Sequence, residues 1–480
     1  MENKPEFHRS LSLFDGALLV IGSMIGSGIF IVGADIARNV GSAGWIIAVW
    51  VITGIMTITA AVSYGELSGM FPKAGGQYVY LKESYNKLIG FLYGWSLFAV
   101  IQTATIAAVA IAFAKFSGYF FPVLNLTNDN ILYSGVIKIY PAHLVAIGVI
   151  VLLTYINSRG VKEGKSIQLV FTLSKLIALF GLILFGFLLV DQSFFAENWQ
   201  TGFNAAQDFG SVNENGQKVP GDWTSISGVA LLGAIAAAMV GSVFSSDAWN
   251  NVTFVAGEIK NPQRNIGLSL FLGTFVVTIL YVTTNLMYLN VLPLREIAFP
   301  EEDRLAVAAA NQIFGDNGRF AIAGLIMIST FGCNNGLILA GARVYYTMAQ
   351  DGLFFRKAAK LNKQGVPQWA LWSQCLVASI LCLSGRYGDL LDMISFVVVI
   401  FYVLTIAGIF ILRRKRPDAE RPYKAFGYPL LPALYIIMGL TFCGLLLWFK
   451  PEFTWPGFII VLIGIPIYYF IEKKSDAANP

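Results

Sequence analysis

The chain has 480 residues, 56% of them hydrophobic and only 13% charged, with a formal net charge of +5 and a mean hydropathy of +0.66. Soluble domains carry about 25% charged residues, so the composition excludes a soluble globular protein and points to a chain that crosses a membrane many times. Nothing in the small positive balance suggests a nucleic-acid partner.

A bilayer core about 30 Å thick takes roughly 20 apolar residues as helix, and about twelve such stretches follow one another along the chain. The first six run from Asp15 to Ile36, Trp45 to Met70, Leu88 to Phe116, Pro141 to Asn157, Ser166 to Val190 and Ser227 to Val255. The second six run from Ile266 to Val291, Phe320 to Met348, Gln368 to Leu383, Leu390 to Leu412, Leu430 to Phe449 and Gly457 to Ile471. These runs are long and continuous rather than short and alternating, so helices are expected and not a barrel; the fold class is all-α. A polar tail precedes the first segment, which is long enough to span, so it reads as a membrane helix and not as a cleaved signal.

Loop charge supports the count, because cytoplasmic loops are rich in Lys and Arg. With the tail inside (Lys4, Arg9), the even loops carry Lys73, Lys82 and Lys87, then Arg159, Lys162 and Lys165, then Lys260 and Arg264. Arg356, Lys357, Lys360 and Lys363 follow, then the cluster from Arg413 to Lys424, and Lys473 and Lys474 place the C-terminal tail inside as well. The odd loops are sparse in basic residues or balanced, as where Lys218 faces Asp191, Glu197, Asp208, Glu214 and Asp222. Both termini are therefore expected to be cytoplasmic, in an integral protein of the plasma (inner) membrane. Cys333, Cys375, Cys382 and Cys443 all fall within predicted helices, which argues for small buried hydrophobes and against a disulfide framework.

Two segments are unlike the rest. The first carries Gly22, Gly26, Ser27, Gly28 and Gly33, and the sixth carries "MVGSVFSSDAWNN" from Met239, with Gly241, Ser242, Ser245, Ser246 and Asp247 at membrane depth. "MIGSGIF" from Met24 also lines up with "MVGSVFS" from Met239. Paired Gly-interrupted helices at corresponding places of two halves point to a transporter's binding site. An unwound turn frees amides on one side and carbonyls on the other, and the half-helix N-terminus adds its positive dipole end; such a site holds a carboxylate and an ammonium together. Close helix packing through small residues is the alternative reading of the first segment, and the intramembrane carboxylate of Asp247 weighs against it.

The chain resembles the amino acid–polyamine–organocation superfamily, most closely its L-type amino acid transporter branch, including bacterial exchangers. The resemblance covers nearly the whole chain and rests on "GSGIF" from Gly26, "FPKAGGQYVYL" from Phe71, "FSSDAW" followed by "GEIKNPQRNI", "DRLAVAAANQIFG" from Asp303, "GARVYYTMAQDG" from Gly341 and "LRRKRPDAERPYKAFGYPLLP" from Leu412. It implies a LeuT-type fold: a first inverted repeat over 15–190, a second over 227–412, and two additional helices over 430–471, with the first and sixth helices broken. It also implies that the substrate carboxylate binds the amides of the first break, at Gly26, Ser27 and Gly28. The ammonium would then meet the carbonyls of Met24, Phe244 and Asp247, with Phe244 as a gate over the substrate and Trp249 and Asn250 beside it. Ala248 stands where a glycine is common and Ser246 where an aromatic is frequent, so pocket size does not carry over. The Asp247 side chain reads either as a cap on the broken helix or as a mark of cationic substrates.

Lys175, in "VFTLSKLIAL", lies nine residues beyond Ser166, so at about 1.5 Å per residue it is one-third to one-half of the way through the bilayer. A lone ammonium there must face protein or water, and its stem is too short to snorkel easily. In the resembling family a lysine at this place sits where sodium-coupled relatives bind a cation and tethers the fifth helix to the broken first, which implies sodium-independent transport; proton coupling is the other reading. Asn334 and Asn335 are possible cavity-lining residues near Lys175, with helix–helix hydrogen bonding the alternative. Gln102, Thr103 and Thr105 have the same two readings, and Arg343 reads as an anchor or an internal ion pair.

The expected function is a secondary transporter exchanging neutral L-amino acids by alternating access, with a proton-coupled symporter, an amino-acid-gated channel or a non-transporting sensor as alternatives. An enzyme is not expected: His8 and His143 belong to no metal or nucleophile constellation, and "GSMIGSG" lacks the strand and helix context of a phosphate loop. No cofactor or metal is implied, and the partners are a small-molecule amino acid and membrane lipid. Some L-type relatives form a disulfide through a cysteine between the third and fourth helices. The loop from Ser117 to Tyr140 has none, so no disulfide-linked ancillary subunit is expected.

Overall fold

The computed structural model describes residues 9–73, 75–135, 138–213, 218–384 and 387–476. Lys4, His8 and Glu214 lie outside them, as do the side chains of Lys162, Lys165, Lys473 and Lys474. Each of the twelve predicted segments coincides with helix. The first is divided into α1 (Leu13–Met24), α2 (Gly28–Ile31) and α3 (Gly33–Val40), and the second is α4 (Ala43–Met70). A short helix, α5 (Gln77–Ser84), precedes the third segment, which runs through α6 (Lys87–Ser96), a π-helical turn at Leu97–Ile101 and α7 (Gln102–Ser117). The fourth and fifth are α8 (Pro141–Arg159) and α9 (Val161–Leu188). After the loop helix α10 (Phe195–Trp199), the sixth is divided into α11 (Gly228–Ser245) and α12 (Asn251–Phe254). The seventh and eighth are α13 (Pro262–Val291) and α15 (Leu305–Gln350), joined through α14 (Leu294–Ala298). The last four are α16 (Gln368–Ser384), α17 (Tyr387–Lys415), α18 (Leu430–Phe449) and α19 (Pro451–Asp476).

Among the described residues, ten helices are long and apolar enough to cross a bilayer, and the α1 and Gly28–Val40 pair, bent by 44°, makes an eleventh. The 17-residue α16 is the twelfth and the shortest, at the lower limit for spanning. Among the described residues, strand is confined to three ribbons of paired two-residue strands in the loops. Burial is reversed relative to a soluble protein: Ile177, Trp448 and Phe470 are 72%, 80% and 72% exposed, while Lys175, Glu66 and Arg343 are almost fully buried.

Local chemistry sets the helix ends. Ser12 and Asp15 form a capping box at α1, with the Asp15 amide donating to Ser12 Oγ at 3.2 Å and the Ser12 amide to Asp15 Oδ2 at 2.9 Å, so two of the four orphan amides are satisfied at once. Pro141 and Pro262 stand at the first turns of α8 and α13, where a missing N–H costs nothing. The predicted eighth segment, from Phe320, lies in the part of α15 that follows a break at Gly315 (φ +66°, ψ −161°), and a separate helical stretch from Leu305 leads up to that break. Apolar periodicity does not reveal that stretch, since Gly315, Asp316 and Asn317 interrupt it.

Ion pairs hold the two ends of the bundle. At one end Arg38 pairs with Asp303 at 2.7 Å and donates to the Ala298 carbonyl, and Arg304 pairs with Glu302 at 3.0 Å. At the other end Glu66 receives Arg413 and Arg421, Arg343 pairs with Glu258 at 2.8 Å, and Asp351 receives Lys82 and the Tyr78 hydroxyl.

Candidate functional site

The first segment breaks because it cannot finish its own hydrogen bonds. Ile25 leaves helical geometry (ψ 87°), so the Gly26 amide turns back to the Met24 carbonyl at 2.8 Å instead of reaching Gly22. The last carbonyls of α1 then need outside donors, and three other helices supply them. Lys175 Nζ of α9 donates to the carbonyls of Gly22 and, at 2.6 Å, Ile25. Cys333 Sγ of α15 faces the Ser23 carbonyl at 3.5 Å. Tyr281 Oη of α13 donates to the Met24 carbonyl at 2.9 Å. A buried ammonium at a helix C-terminus also lies where the helix dipole favours positive charge.

Across the break, Gly28 opens a helix continuing to Val40, whose first amides have no intrahelical acceptor and add the positive end of its dipole. Ser27 (1% exposed) and Gly28 are buried against the end of α11. A Cβ on Gly28 would lie 3.0 Å from Ser245 Cα and 2.7 Å from its Cβ, and one on Gly26 would lie 3.1 Å from Cys333 Sγ. The glycines therefore serve close packing as well as the break: the first segment unwinds where it touches the sixth.

The sixth segment breaks in a matching way. The Ser246 amide still reaches the Ser242 carbonyl at 2.9 Å, the Asp247 amide bends to Phe244 O at 3.2 Å, and Ala248 adopts φ +62° before α12 begins. Tyr281 Oη also lies 3.0 Å from the Ser245 carbonyl, so one hydroxyl from α13 spans both breaks. The Met24 carbonyl, expected to hold an ammonium, accepts here from Tyr281 and from Gly26. Phe244, the expected gate, is 8% exposed in the last turn of α11.

Beyond the break, Asp247 Oδ1 accepts from Tyr402 Oη of α17 at 2.5 Å. Trp249 packs edge-on to Tyr64 (4.7 Å) and tilted against Tyr402 (5.1 Å). Asn250 donates to Gln77 Oε1 at 2.9 Å and Gln77 donates to Thr405 Oγ1 at 3.0 Å. This chain joins the sixth-segment break through α5 to α17. The "FPKAGGQYVYL" stretch positions it, because Gly75 and Gly76 take positive φ (102° and 42°) and lay the start of α5 against Thr253 and Phe254.

Asp247 and Tyr402 face two small cavities, each about 20 Å³, close to the volume of one water. One is bounded by Gln77, Gln102, Thr105, Asn250 and Leu337, and the other by Thr53, Thr57, Ser246, Trp249 and Tyr435. Neither is lined by Ser27, Gly28, Phe244, Lys175, Asn334 or Asn335. Asn335 instead accepts from Asn157 Nδ2 at 2.7 Å, a helix–helix bond to α8. Asn334 is fully buried in α15 with no hydrogen-bond partner among the described residues. Of the third-segment residues, Gln102 reaches the Leu337 carbonyl at 2.6 Å, and Thr103 bonds back to Phe98. Arg343 is an internal ion pair.

Sequence reasoning missed Tyr281, Cys333 and Tyr402. A tyrosine or cysteine in an apolar helix carries no charge signal, and these three meet their partners only in the folded bundle. Lys175 was found because a charge in such a run is costly.

The family model described as amino acid permease matches residues 11–469. The large neutral amino acids transporter small subunit 2 of Mus musculus is 28% identical over 467 residues, covering 96% of this chain and 80% of that protein. A serine/threonine exchanger of Bacillus subtilis is 29% identical over 481 residues, covering 97% and 98%. The human cystine/glutamate transporter is 27% identical over 478 residues, covering 98% and 88%. With this match along almost its full length and its polytopic helical fold, the chain belongs to the amino acid permease family of the amino acid–polyamine–organocation superfamily, and is an integral membrane transporter of amino acids, not an enzyme.

Proposed function

We propose that this protein exchanges neutral L-amino acids across the plasma membrane by alternating access, without sodium. The observation that carries the reading is the pair of broken helices joined at mid-bundle, with the Lys175 ammonium fixed on the open end of α1. The amides at Ser27 and Gly28 receive the substrate carboxylate, Lys175 lends that end a positive charge, and carbonyls of Phe244 and Asp247 receive the ammonium, while the Gly26 amide and the Met24 carbonyl bond each other in the turn between them. Trp249 and Asn250 shape the space beside it. Those backbone groups recognise what all α-amino acids share, so side chains elsewhere set specificity.

Residues 15–190 and 227–412 act as inverted repeats whose first elements are the two broken helices, and 430–471 adds two helices outside them. Both termini face the cytoplasm, as the loop lysines and arginines imply. The carrier works without a disulfide-linked partner, a reading supported by the lack of cysteine in the loop from Ser117 to Tyr140.

Uptake of labelled amino acids into proteoliposomes, varying internal amino acid, sodium and pH one at a time, tests the proposal. Uptake that depends on internal amino acid and ignores sodium is the expected result. Loss of activity without sodium would defeat the role given to Lys175. Uptake driven by an imposed proton gradient with empty vesicles means symport, and an ohmic current means a channel.

A further inference from the structure

On the outer face of the bundle, three helices leave a groove of about 460 Å³. Phe113, Phe120 and Phe121, in and just beyond α7, line it together with Phe171 of α9 and Gly324 and Phe331 of α15. Phe121 is 62% exposed at its head. At its foot the Phe331 ring lies 5.5 Å from Phe171 and 6.2 Å from Phe113. Phe331 follows Gly324 by seven residues, so the groove descends about 10 Å along α15, starting at the end of the bundle where Arg304 donates to the Lys115 carbonyl. A packed helix, 10–12 Å across, would need about twice that volume over the same depth. A water takes about 30 Å³ and a methylene is of similar size, so the groove has room for roughly fifteen chain carbons.

The head of the groove is not apolar. The Arg319 guanidinium stands over the rings of Tyr119 (5.6 Å) and Phe320 (5.5 Å), and both rings pack against Phe120, at 6.2 and 5.9 Å. Its Nε is buried without a hydrogen-bond partner among the described residues, and its ion pair with Asp316, at 3.2 Å, is to a carboxylate 78% exposed. Such a surface pair contributes little, and a guanidinium offers a fork of donors that fits phosphate.

We propose that the groove binds one membrane phospholipid, with an acyl chain between α7, α9 and α15 and the phosphate on Arg319. The chain bears on the helices that hold the open end of α1. At the foot of the groove α15 meets α9 so closely that a Cβ on Gly332 has no room beside Phe171. Cys333 comes next and faces the Ser23 carbonyl, and Lys175 lies one turn beyond Phe171. A seated chain supplies the dispersion contacts that an empty groove would forfeit along this seam.

The test is to strip the detergent-purified protein of lipid and titrate it with dioleoylphosphatidylglycerol or with dioleoylglycerol, which has the same chains and no phosphate. Native mass spectrometry should show one phospholipid retained per chain. The melting temperature should rise by a few degrees with the phospholipid and by less with dioleoylglycerol. Gly324→Trp should abolish both responses, because a Cβ there meets only Phe120 Cζ, at 3.7 Å, and the indole enters the groove in place of the chain. Arg319→Gln should reduce the phospholipid response to that of dioleoylglycerol, and Asp316→Asn, which frees Arg319, should strengthen it. Equal responses to the two lipids in the unsubstituted protein, or an unchanged phospholipid response in Arg319→Gln, would overturn the proposal. So would a dimer mass that Gly324→Trp dissociates, which would make the occupant a second copy of this chain. The carrier reading stands or falls separately, on uptake.

Discussion

Replacing Lys175 by Met removes the ammonium and keeps most of the apolar stem. Two carbonyls, Gly22 and Ile25, then lose their donor, and each orphaned buried acceptor costs about 1–3 kcal/mol. Opposing this, the folded state no longer buries a charge, whose desolvation costs several kcal/mol. The two terms are of similar size, so the melting temperature in detergent should shift by only a few degrees. Transport should respond far more. If a carboxylate at the Ser27 and Gly28 amides sits roughly 6 Å from the ammonium, the attraction at an effective permittivity of about 20 is about 3 kcal/mol. Substrate affinity should therefore fall about 100-fold. Lys175→Gln separates charge from tether: its amide still donates to a carbonyl, so it should melt nearer the unsubstituted protein than Lys175→Met does, yet bind as weakly. Initial-rate uptake and substrate protection of the melting temperature measure both quantities. Unchanged KM and kcat in Lys175→Met would refute the reasoning, and weak binding in Met with normal binding in Gln would assign the effect to the tether and not to the charge.

Three further outcomes follow from particular contacts. Tyr281→Phe removes the hydroxyl that spans the Met24 and Ser245 carbonyls; thermal unfolding should show a loss of about 1–3 kcal/mol, and unaltered stability would mean that the two breaks are held elsewhere. Gly28→Ala drives a Cβ into Ser245 Oγ and to 2.7 Å from Ser245 Cβ, so uptake should fall sharply, and Ser245→Gly in the same chain, which removes both atoms, should restore part of it; no restoration would locate the damage in the break itself. At the end of the bundle held by Arg38, burial pushes the Asp303 carboxyl upward, but Lys115, Arg38 and Lys218 outweigh it and hold it at about 2. A carboxylate depressed in the folded state stabilises above its unfolded pKa of about 3.9 and loses that contribution as pH falls through about 2. With its side chain 30% exposed, the contribution is about 2 kcal/mol after allowance for solvent screening; Asp303→Asn should lose it at pH 6 and show a flatter acid limb in thermal melts between pH 5 and 2.

What the sequence discloses and what it conceals divide along a physical line. Long apolar runs locate all twelve helices, because the membrane demands them segment by segment. The breaks at Gly26–Gly28 and Ser246–Ala248 are also visible, since small and polar residues in such a run have few local uses. Lys175 is visible for the same reason, and its reach to α1 follows once the helix is known to be open. For Asn334 and Asn335 the sequence leaves two readings open, because polarity alone does not say which neighbour an amide faces, and Asn335 makes a helix–helix bond to Asn157 on α8. The helical stretch from Leu305 to the break at Gly315 is what the sequence does not show, because it is too short to register as an apolar span of its own.

Capping explains why the break itself was easier to read than its supports. An open helix end requires donors for its last carbonyls, but the sequence of that end does not specify where they come from. Here they come from positions 150 residues away for Lys175 and Ile25, 257 for Tyr281 and Met24, and 310 for Cys333 and Ser23. Three helices therefore meet at one unwound turn, and shifting α1 against any of them gives up a bond that water cannot replace at that depth. The contribution of each donor is measurable as a difference between variants, and their joint contribution need not equal the sum, because Lys175, Cys333 and Tyr281 hold the same four-residue stretch.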